Sequence, residues 1–251
     1  RGARQGSADG GHQPHILVLR GGLIVNRMDL SAIEDIAAVV LSAGAGRRLG
    51  FKPKALLLRD GEPLLVRQIE LLEQAGLRRI VVVLGHHADK IAPVMADLAV
   101  ARPELDLRCV VNPAPDEGTG ASLRCALALI PAEPTGVLVL LADQPLLEAQ
   151  DISTVLAAWR ARPAGIDLVV PRHDGTPGHP LIFGRDVRQA VARGQGAAGV
   201  REWRRQHPQQ VLALLVAHPR FTQDIDTEDD LATLATEHGV YLHWPAATPS
   251  Q

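Results

Sequence analysis

AAVVLSAGAGRRLGFKPK, residues 37–54, decides the fold. Ala37 to Leu41 form an apolar run that is short enough for a strand and has no polar alternation, so it reads as a buried parallel strand. A glycine-rich, cationic loop follows it directly. Similar runs recur at Arg79 to Leu84, Leu107 to Val111, Gly136 to Leu141, Asp167 to Val170 and Val211 to Val216, with a shorter strand expected at Leu181 to Phe183. Between them lie stretches with helical spacing. Pro63 to Ala75 places Leu64, Leu65, Ile69 and Leu72 on one face ahead of Gly76, and Ala88 to Ala99, Gly120 to Ile130, Gln150 to Ala161 and Thr227 to Glu237 follow. This alternation predicts an α/β fold of three layers, a mostly parallel sheet with helices on both faces. Ligands of such sheets gather at the carboxyl ends of the strands, so function is expected just past each run. SAGAGRRLG (42–50), NPAPDEG (112–118) and ADQP (142–145) stand there.

Composition narrows the class. The 26 Lys and Arg against 28 Asp and Glu leave a net charge of −2, which argues against nucleic acid held by bulk positive charge, and 3% aromatics leave few stacking platforms. No nucleic-acid partner is expected, and the core is expected to be aliphatic. No apolar run approaches the roughly 18 residues of a membrane span, so no membrane association is expected. Cys109 and Cys125 are too few for a disulfide framework and have no metal-ligand spacing, so both read as small core hydrophobes of a reduced, cytoplasmic protein. Met28 is the first methionine and precedes the patterned region, so residues 1–27 are expected to be a non-native or disordered extension. The run His15 to Leu19 is broken by Arg20-Gly21-Gly22 and does not read as a secretory signal. With no long linker, residues 28–251 are expected to form one domain.

The loop points to phosphate chemistry. Gly44, Gly46 and Gly50 let backbone N–H groups approach an anion, and Arg47, Arg48, Lys52 and Lys54 add matching charge. The spacing G-x-G-x-x-x-G is not the dinucleotide pattern, Phe51 after Gly50 excludes a Walker A loop, and the second strand ends Leu84-Gly85-His86 without the acid a nicotinamide site wants. Asp143, just past the fourth run, is placed to present a carboxylate to a magnesium ion bridging phosphates, with Asp226 as second ligand. Asp226 also reads as the N-cap of the helix after it, and Asp224 and Asp226 alternate faces if extended, so only one is expected to face a metal. His86 and His87 read as solvated loop residues.

LSAGAGRRLGFKPKALL, VVNPAPDEGTGASL, LLADQPLL, GTPGHPLIF and DIDTEDDL together, in that order from Ala37 to Ala235, resemble the MobA-like NTP transferases and within them the molybdenum cofactor cytidylyltransferases. The resemblance implies a nucleotide-diphospho-sugar-transferase-like Rossmannoid fold and a magnesium-dependent transfer of CMP from CTP to a phosphorylated acceptor such as molybdopterin, releasing pyrophosphate. It assigns Arg48 to the leaving pyrophosphate, Lys54 to the α-phosphate, and Asp143 and Asp226 to the metal. Leu41, Ala43, Gly44, Gly46, Arg47, Asn112, Gly118 and Ser122 fall to the nucleotide, and His179 to the acceptor. Ser122 and His179 also have plainer readings, as a helix cap and as the shaper of a turn. Alanine at position 43, where guanylyl relatives carry a second glycine, favours cytidine, while Ser42 departs from the usual alanine. A molybdoenzyme or its chaperone is the implied partner. Two other classes stay open: a nicotinamide-dependent oxidoreductase, and a nucleotide- or cofactor-binding protein without turnover.

Overall fold

The structure is a computed structural model that describes residues 15–18 and 35–246. Its strands are β1 (His15–Val18), β2 (Ile36–Ser42), β3 (Leu58–Arg59), β4 (Glu62–Pro63), β5 (Arg79–Leu84), β6 (Asp106–Val111), β7 (Gly136–Leu141), β8 (Leu168–His173), β9 (Thr176–Pro177), β10 (Leu181–Phe183), β11 (Val211–Leu215) and β12 (Leu242–His243). Its helices are α1 (Leu64–Gln74), α2 (Ala88–Ala101), α3 (Thr119–Leu129), α4 (Ala149–Arg160), α5 (Arg185–Arg193), α6 (Val200–Gln206) and α7 (Glu228–His238). The main sheet runs β1-β11-β8-β10-β7-β2-β5-β6, with β9 beside β8, and β10 is antiparallel to both neighbours. The predicted mostly parallel α/β sheet is therefore present, with one reversed strand.

β2 lies at the centre, and the alternation of its side chains divides the core in two. Ala38 and Val40 pack with Leu65, Ile69, Ile91, Val155 and Trp159 of α1, α2 and α4 on one face. Ala37 and Val39 pack with Leu123 and Leu127 of α3, Val187 of α5 and Trp203 of α6 on the other. Both faces are covered, which is why the strand sequences are continuously apolar rather than alternating. The expected aliphatic core takes in a few aromatics, with Trp159, Phe183, Trp203 and Phe221 buried.

Two expectations on the chain are corrected or left aside. Cys109 is exposed rather than buried: among the described residues β6 ends the sheet and pairs with β5 alone. Cys125 is half-buried against the α3 core face, as expected. Of residues 1–27, only His15–Val18 are described, as a strand parallel to β11; Met28 and the rest lie outside the described residues. No helix among the described residues is long and apolar enough to cross a membrane.

The topology sets the site. From β2 the chain steps outward through β5 to β6 and then returns to the opposite side of β2 as β7. The loops leaving β2 and β7 therefore diverge from adjacent strands, and an open α/β sheet forms its binding crevice at such a reversal.

Candidate active site at the β2 and β7 strand ends

The loop after β2 is shaped by its glycines. Gly46 has φ of 63° and Gly50 of 69°, and a Cβ on Gly46 would lie 2.2 Å from the Lys52 carbonyl oxygen. The amides of Leu49 and Phe51 both donate to the Gly46 carbonyl, closing a tight single-turn helix over Arg47–Leu49. Gly85 lies against the same loop, since a Cβ there would come 2.5 Å from the Ala43 carbonyl oxygen. His87, buried, places Nε2 3.0 Å from the Ala45 carbonyl oxygen. His87 therefore braces the loop from inside, in contrast to the solvated role read from the sequence.

A small apolar cluster joins the loop to the rest of the site. Leu49, Leu57, Leu64, Leu146, Ile225, Leu234 and Val240 bury one another beneath the little sheet β12-β3-β4 and α7. Ile225 is fully buried between two aspartates, and its amide donates to the Asp143 carbonyl at 3.1 Å. Burying Ile225 thus turns the flanking carboxylates toward the end of β7. The buried Gln144 fixes that end, donating to the Phe221 carbonyl at 2.9 Å while its own carbonyl accepts from Gln68 at 2.7 Å.

Lys54 stands where these segments meet. Its ammonium contacts Asp143, donates to Asp226 Oδ1 at 3.0 Å and donates to the Ile225 carbonyl at 2.6 Å. Burial alone would lower its pKa, but the two carboxylates outweigh that and hold it above the ordinary lysine value. Arg48 approaches the far side of Asp226, 3.3 Å from Oδ2. Asp224 is pushed above the ordinary carboxylate range by burial and by the charges of Asp143 and Asp226. So both aspartates of the Asp-Ile-Asp run feel the centre, although only Asp226 makes the ion pairs. The other reading of Asp226 is settled locally. Thr227 is the helix cap, accepting from the Asp230 amide, while the Asp230 carboxylate accepts from the Thr227 and Asp226 amides. The Asp226 side chain is left for the cations.

A cavity of about 590 Å³ opens beside this centre. Leu41, Ala43, Gly44, Gly46 and Arg47 form one wall, Gly118 and Ser122 the other, and Asp143 reaches its edge. Asn112 does not line it. Buried behind, it donates to Ser122 Oγ at 3.0 Å and accepts from the Ala114 amide, so it orients Ser122 and the turn before α3. Across the mouth, Arg47 donates to Asp116 at 2.7 Å and His86 Nε2 lies 3.2 Å from the same oxygen. Against the desolvation that opposes it, these two hold Asp116 below the ordinary carboxylate range. Lys52 points elsewhere, 4.9 Å over the Trp244 ring. His179 lines a second cavity of about 660 Å³ that shares Leu41, Gly118 and Thr119 with the first. The sequence reading missed His86 and Asp116; a position just past a strand end was the available signal for His86.

Two carboxylates, one just past β7 and one just ahead of α7, suit a hard divalent cation that takes its remaining oxygens from phosphates and water. No cluster of three or more His, Cys, Asp or Glu side chains fit to hold a metal occurs among the described residues, so a cation here would complete its shell with water or substrate oxygens. Residues 38–211 match the MobA-like NTP transferase domain. The chain belongs to the MobA-like NTP transferase family. A full-length curated relative in that family is nicotine blue oxidoreductase of Paenarthrobacter nicotinovorans, 32% identical over 79% of this chain and 96% of that protein. The bifunctional protein GlmU of Mycobacterium avium is 32% identical over 63% of this chain, which spans only about a third (32%) of that longer relative. Among solved structures, Rv0371c of Mycobacterium tuberculosis superposes with a TM-score of 0.65 at 30% identity, covering 79% of this chain and 97% of that one. Rv0371c has also been solved in complex with manganese, with a TM-score of 0.62 at 29% identity, covering 80% and 97% of the two chains. A CMP:2-keto-3-deoxy-manno-octonic acid synthetase complexed with CTP, at 14% identity, shares the fold with a TM-score of 0.62 over 81% of this chain and 98% of that one. The family match and the shared fold together place this chain among proteins with an NTP transferase domain.

Proposed function

We propose that this family member transfers CMP from CTP to a phosphorylated acceptor and releases pyrophosphate, with molybdopterin as the favoured acceptor. The observation that carries the reading is the Lys54 ammonium between Asp143 and Asp226, with Asp143 at the edge of a nucleotide-sized cavity walled by the glycine loop. Attack on the α-phosphorus builds negative charge on the phosphate oxygens and the leaving pyrophosphate, and fixed positive charge is the means of stabilising it. Lys54 would turn from the two carboxylates to the α-phosphate, and Arg48 from Asp226 to the pyrophosphate. Asp143 and Asp226 would then hold magnesium, which supplies charge neutralisation across the phosphates when bound. A phosphate nucleophile is already ionised at neutral pH, so the site needs no general base. Leu41, Ala43, Gly44, Gly46, Arg47, Gly118 and Ser122 would enclose the nucleotide, with Asn112 orienting Ser122. The Ala43 methyl narrows the wall beside Gly85 and favours a pyrimidine. The molybdopterin assignment rests on the resemblance of the motifs, which also brings a molybdoenzyme or its chaperone as the receiver of product. Free Cys109 and Cys125 fit a reducing compartment, the cytoplasm.

The test is pyrophosphate release from CTP, GTP, ATP and UTP with magnesium and acceptor. CTP is expected to react fastest, and Asp143→Asn to lose about 10²–10³ in turnover by analogy with the loss of one preorganised charge-stabilising group. That variant should keep the thermal stabilisation by nucleotide, about 2.7 kcal/mol at a hundredfold excess over Kd. Unchanged turnover in Asp143→Asn sinks the metal role. One observation favours a second reading, the near-complete overlap with nicotine blue oxidoreductase. Oxidation of NADPH in the same assay, without pyrophosphate release, would replace the transfer reading with hydride chemistry.

A further inference from the structure

The second cavity carries two arginines, with a third next to it, and none of the three has an acidic partner among the described residues. Arg201 and Arg204, one turn apart on α6, line it together with His179. Arg172 of β8 stands behind them, sharing a small adjoining recess with Arg204. Arg172 donates only to the Gly175 carbonyl, and neither Arg201 nor Arg204 makes a hydrogen bond or ion pair among the described residues. The acid on the same helix, Glu202, is committed to Arg205 and Gln206. Burial, with the charges of Arg172 and Arg201, lowers the Arg204 guanidinium pKa, and burial, with the charge of Arg204, pushes the His179 imidazole down to about 4. Arg172 and Arg204, half-withdrawn from water beside the exposed Arg201, are a cost in like charge unless an anion joins them.

The wall that presents them is built, not incidental. Gly120 of α3 packs so closely on the turn before α6 that a Cβ there would lie 2.4 Å from the Ala198 carbonyl oxygen. Arg124 donates to the carbonyls of Ala198 and Gly196 at 3.1 and 2.7 Å, and Trp203 is buried beneath the helix. The remaining lining includes Leu123, Val139, Leu181 and Val200, an apolar surface for the body of a ligand. Of the two cavities, Asp143 edges the first and not the second, while Arg201 and Arg204 edge the second and not the first. A molecule reaching from one to the other passes Leu41, Gly118 and Thr119, which line both.

We propose that Arg201 and Arg204, backed by Arg172, bind a second, non-reacting anionic group of the acceptor in this cavity. This rests on the transfer reading for what happens at the reacting phosphate. The acceptor then has an apolar or planar portion and an anionic group besides its reacting phosphate, and Arg201 and Arg204 select against acceptors that lack that second charge. Guanidinium groups suit such an anion because their planar donors match its oxygens. His179, neutral at physiological pH, is left to hydrogen-bond the ligand's uncharged part.

The test uses the full chain and inorganic phosphate, with chloride at matched ionic strength as control. With the triphosphate site filled by a non-hydrolysable CTP analogue and magnesium, phosphate should still raise the melting temperature. The double variant Arg201→Gln/Arg204→Gln should bind phosphate at least about tenfold more weakly while keeping the full response to the nucleotide analogue. Arg205→Gln, which removes a cation paired with Glu202 on the same helix, should change neither response. Equal phosphate binding in the double variant, or no phosphate response in the wild type, overturns the proposal. Repeating the phosphate titration without nucleotide separates the two readings. A protein that ignores every nucleotide yet loses phosphate affinity in the double variant has lost the transfer reading and kept the anion site.

Discussion

Replacing Lys54 by methionine keeps the aliphatic stem and deletes only the charge that joins Asp143 to Asp226. Lys54 and Asp143 side chains retain 15% and 18% of their exposure, so their contact is largely sheltered, whereas Asp226 retains 44% and keeps Arg48 at 3.3 Å. Removing one member of a fully buried pair costs about 3–5 kcal/mol because the other charge is stranded. Here the cost falls mainly on Asp143, and solvent at Asp226 trims it to about 2–3 kcal/mol. For a chain of this size each kcal/mol moves Tm by about 2–4 °C, so Lys54→Met should melt about 4–12 °C lower in EDTA. Magnesium without nucleotide should restore part of that loss in the variant and do little for the wild type, whose ammonium already neutralises the pair. Adding Asp143→Asn to Lys54→Met should likewise recover stability, since no stranded carboxylate remains. In the wild type the raised Lys54 pKa adds stability that is present below the ordinary value of 10.5 and is lost as pH climbs through the folded-state value. Scanning calorimetry in EDTA and in magnesium checks all of this. A variant that melts with the wild type, or one whose loss ignores both magnesium and Asp143→Asn, would refute the picture of a cation substituting for a metal between two acids.

The other predictions address the supports around that centre. His179 has its pKa lowered from 6.5 to about 4, so the unfolded chain takes up its proton first and stability falls as pH drops through that window. The shift corresponds to at most about 3 kcal/mol, less because the imidazole is partly accessible, and His179→Gln should flatten that arm of the pH–stability curve; an unchanged arm counts against it. Ile225→Ala should cost about 2–5 kcal/mol through the cavity it leaves and weaken nucleotide binding as well, because Asp224 and Asp226 lose their anchor; a variant that is destabilised but binds CTP normally shows that the anchor is only structural. Gly46→Ala forces a side chain into the left-handed region and against the Lys52 carbonyl oxygen, so the nucleotide-induced melting shift should vanish while β2 and its neighbours stay folded by circular dichroism.

Much of the fold was legible because buried parallel strands leave a crude mark. Arg79–Leu84 and Gly136–Leu141 appear in the structure at the bounds their apolar runs suggest, and α1 ends just ahead of the glycine expected to stop it. β10 was legible as a strand but not as a reversed one, since an apolar triplet says nothing about direction. The fate of Cys109 was hidden for a related reason: the run Leu107 to Val111 reads as a strand, and it is the order of the described sheet that shows it at the edge.

At the site, what the sequence displayed were charges and glycines, and what it hid was the hydrophobic geometry that aims them. Lys54 and Asp226 are 172 positions apart, and nothing local in either segment announces their contact. Ile225 makes it, by burying itself with Leu49 and Leu146 so that the loop after β2, the exit of β7 and the Asp-Ile-Asp run share one apolar floor. An isoleucine between two aspartates looks like an interruption of an acidic motif. Physically it is the reason the motif has a direction, because a residue that must be buried fixes which way its neighbours can point. The same logic explains Arg201 and Arg204, whose charge means little in a sequence with 26 cations until Trp203, buried between them, shows which way they face. Functional charges in this chain are therefore best sought beside an isolated apolar residue that the fold is compelled to bury.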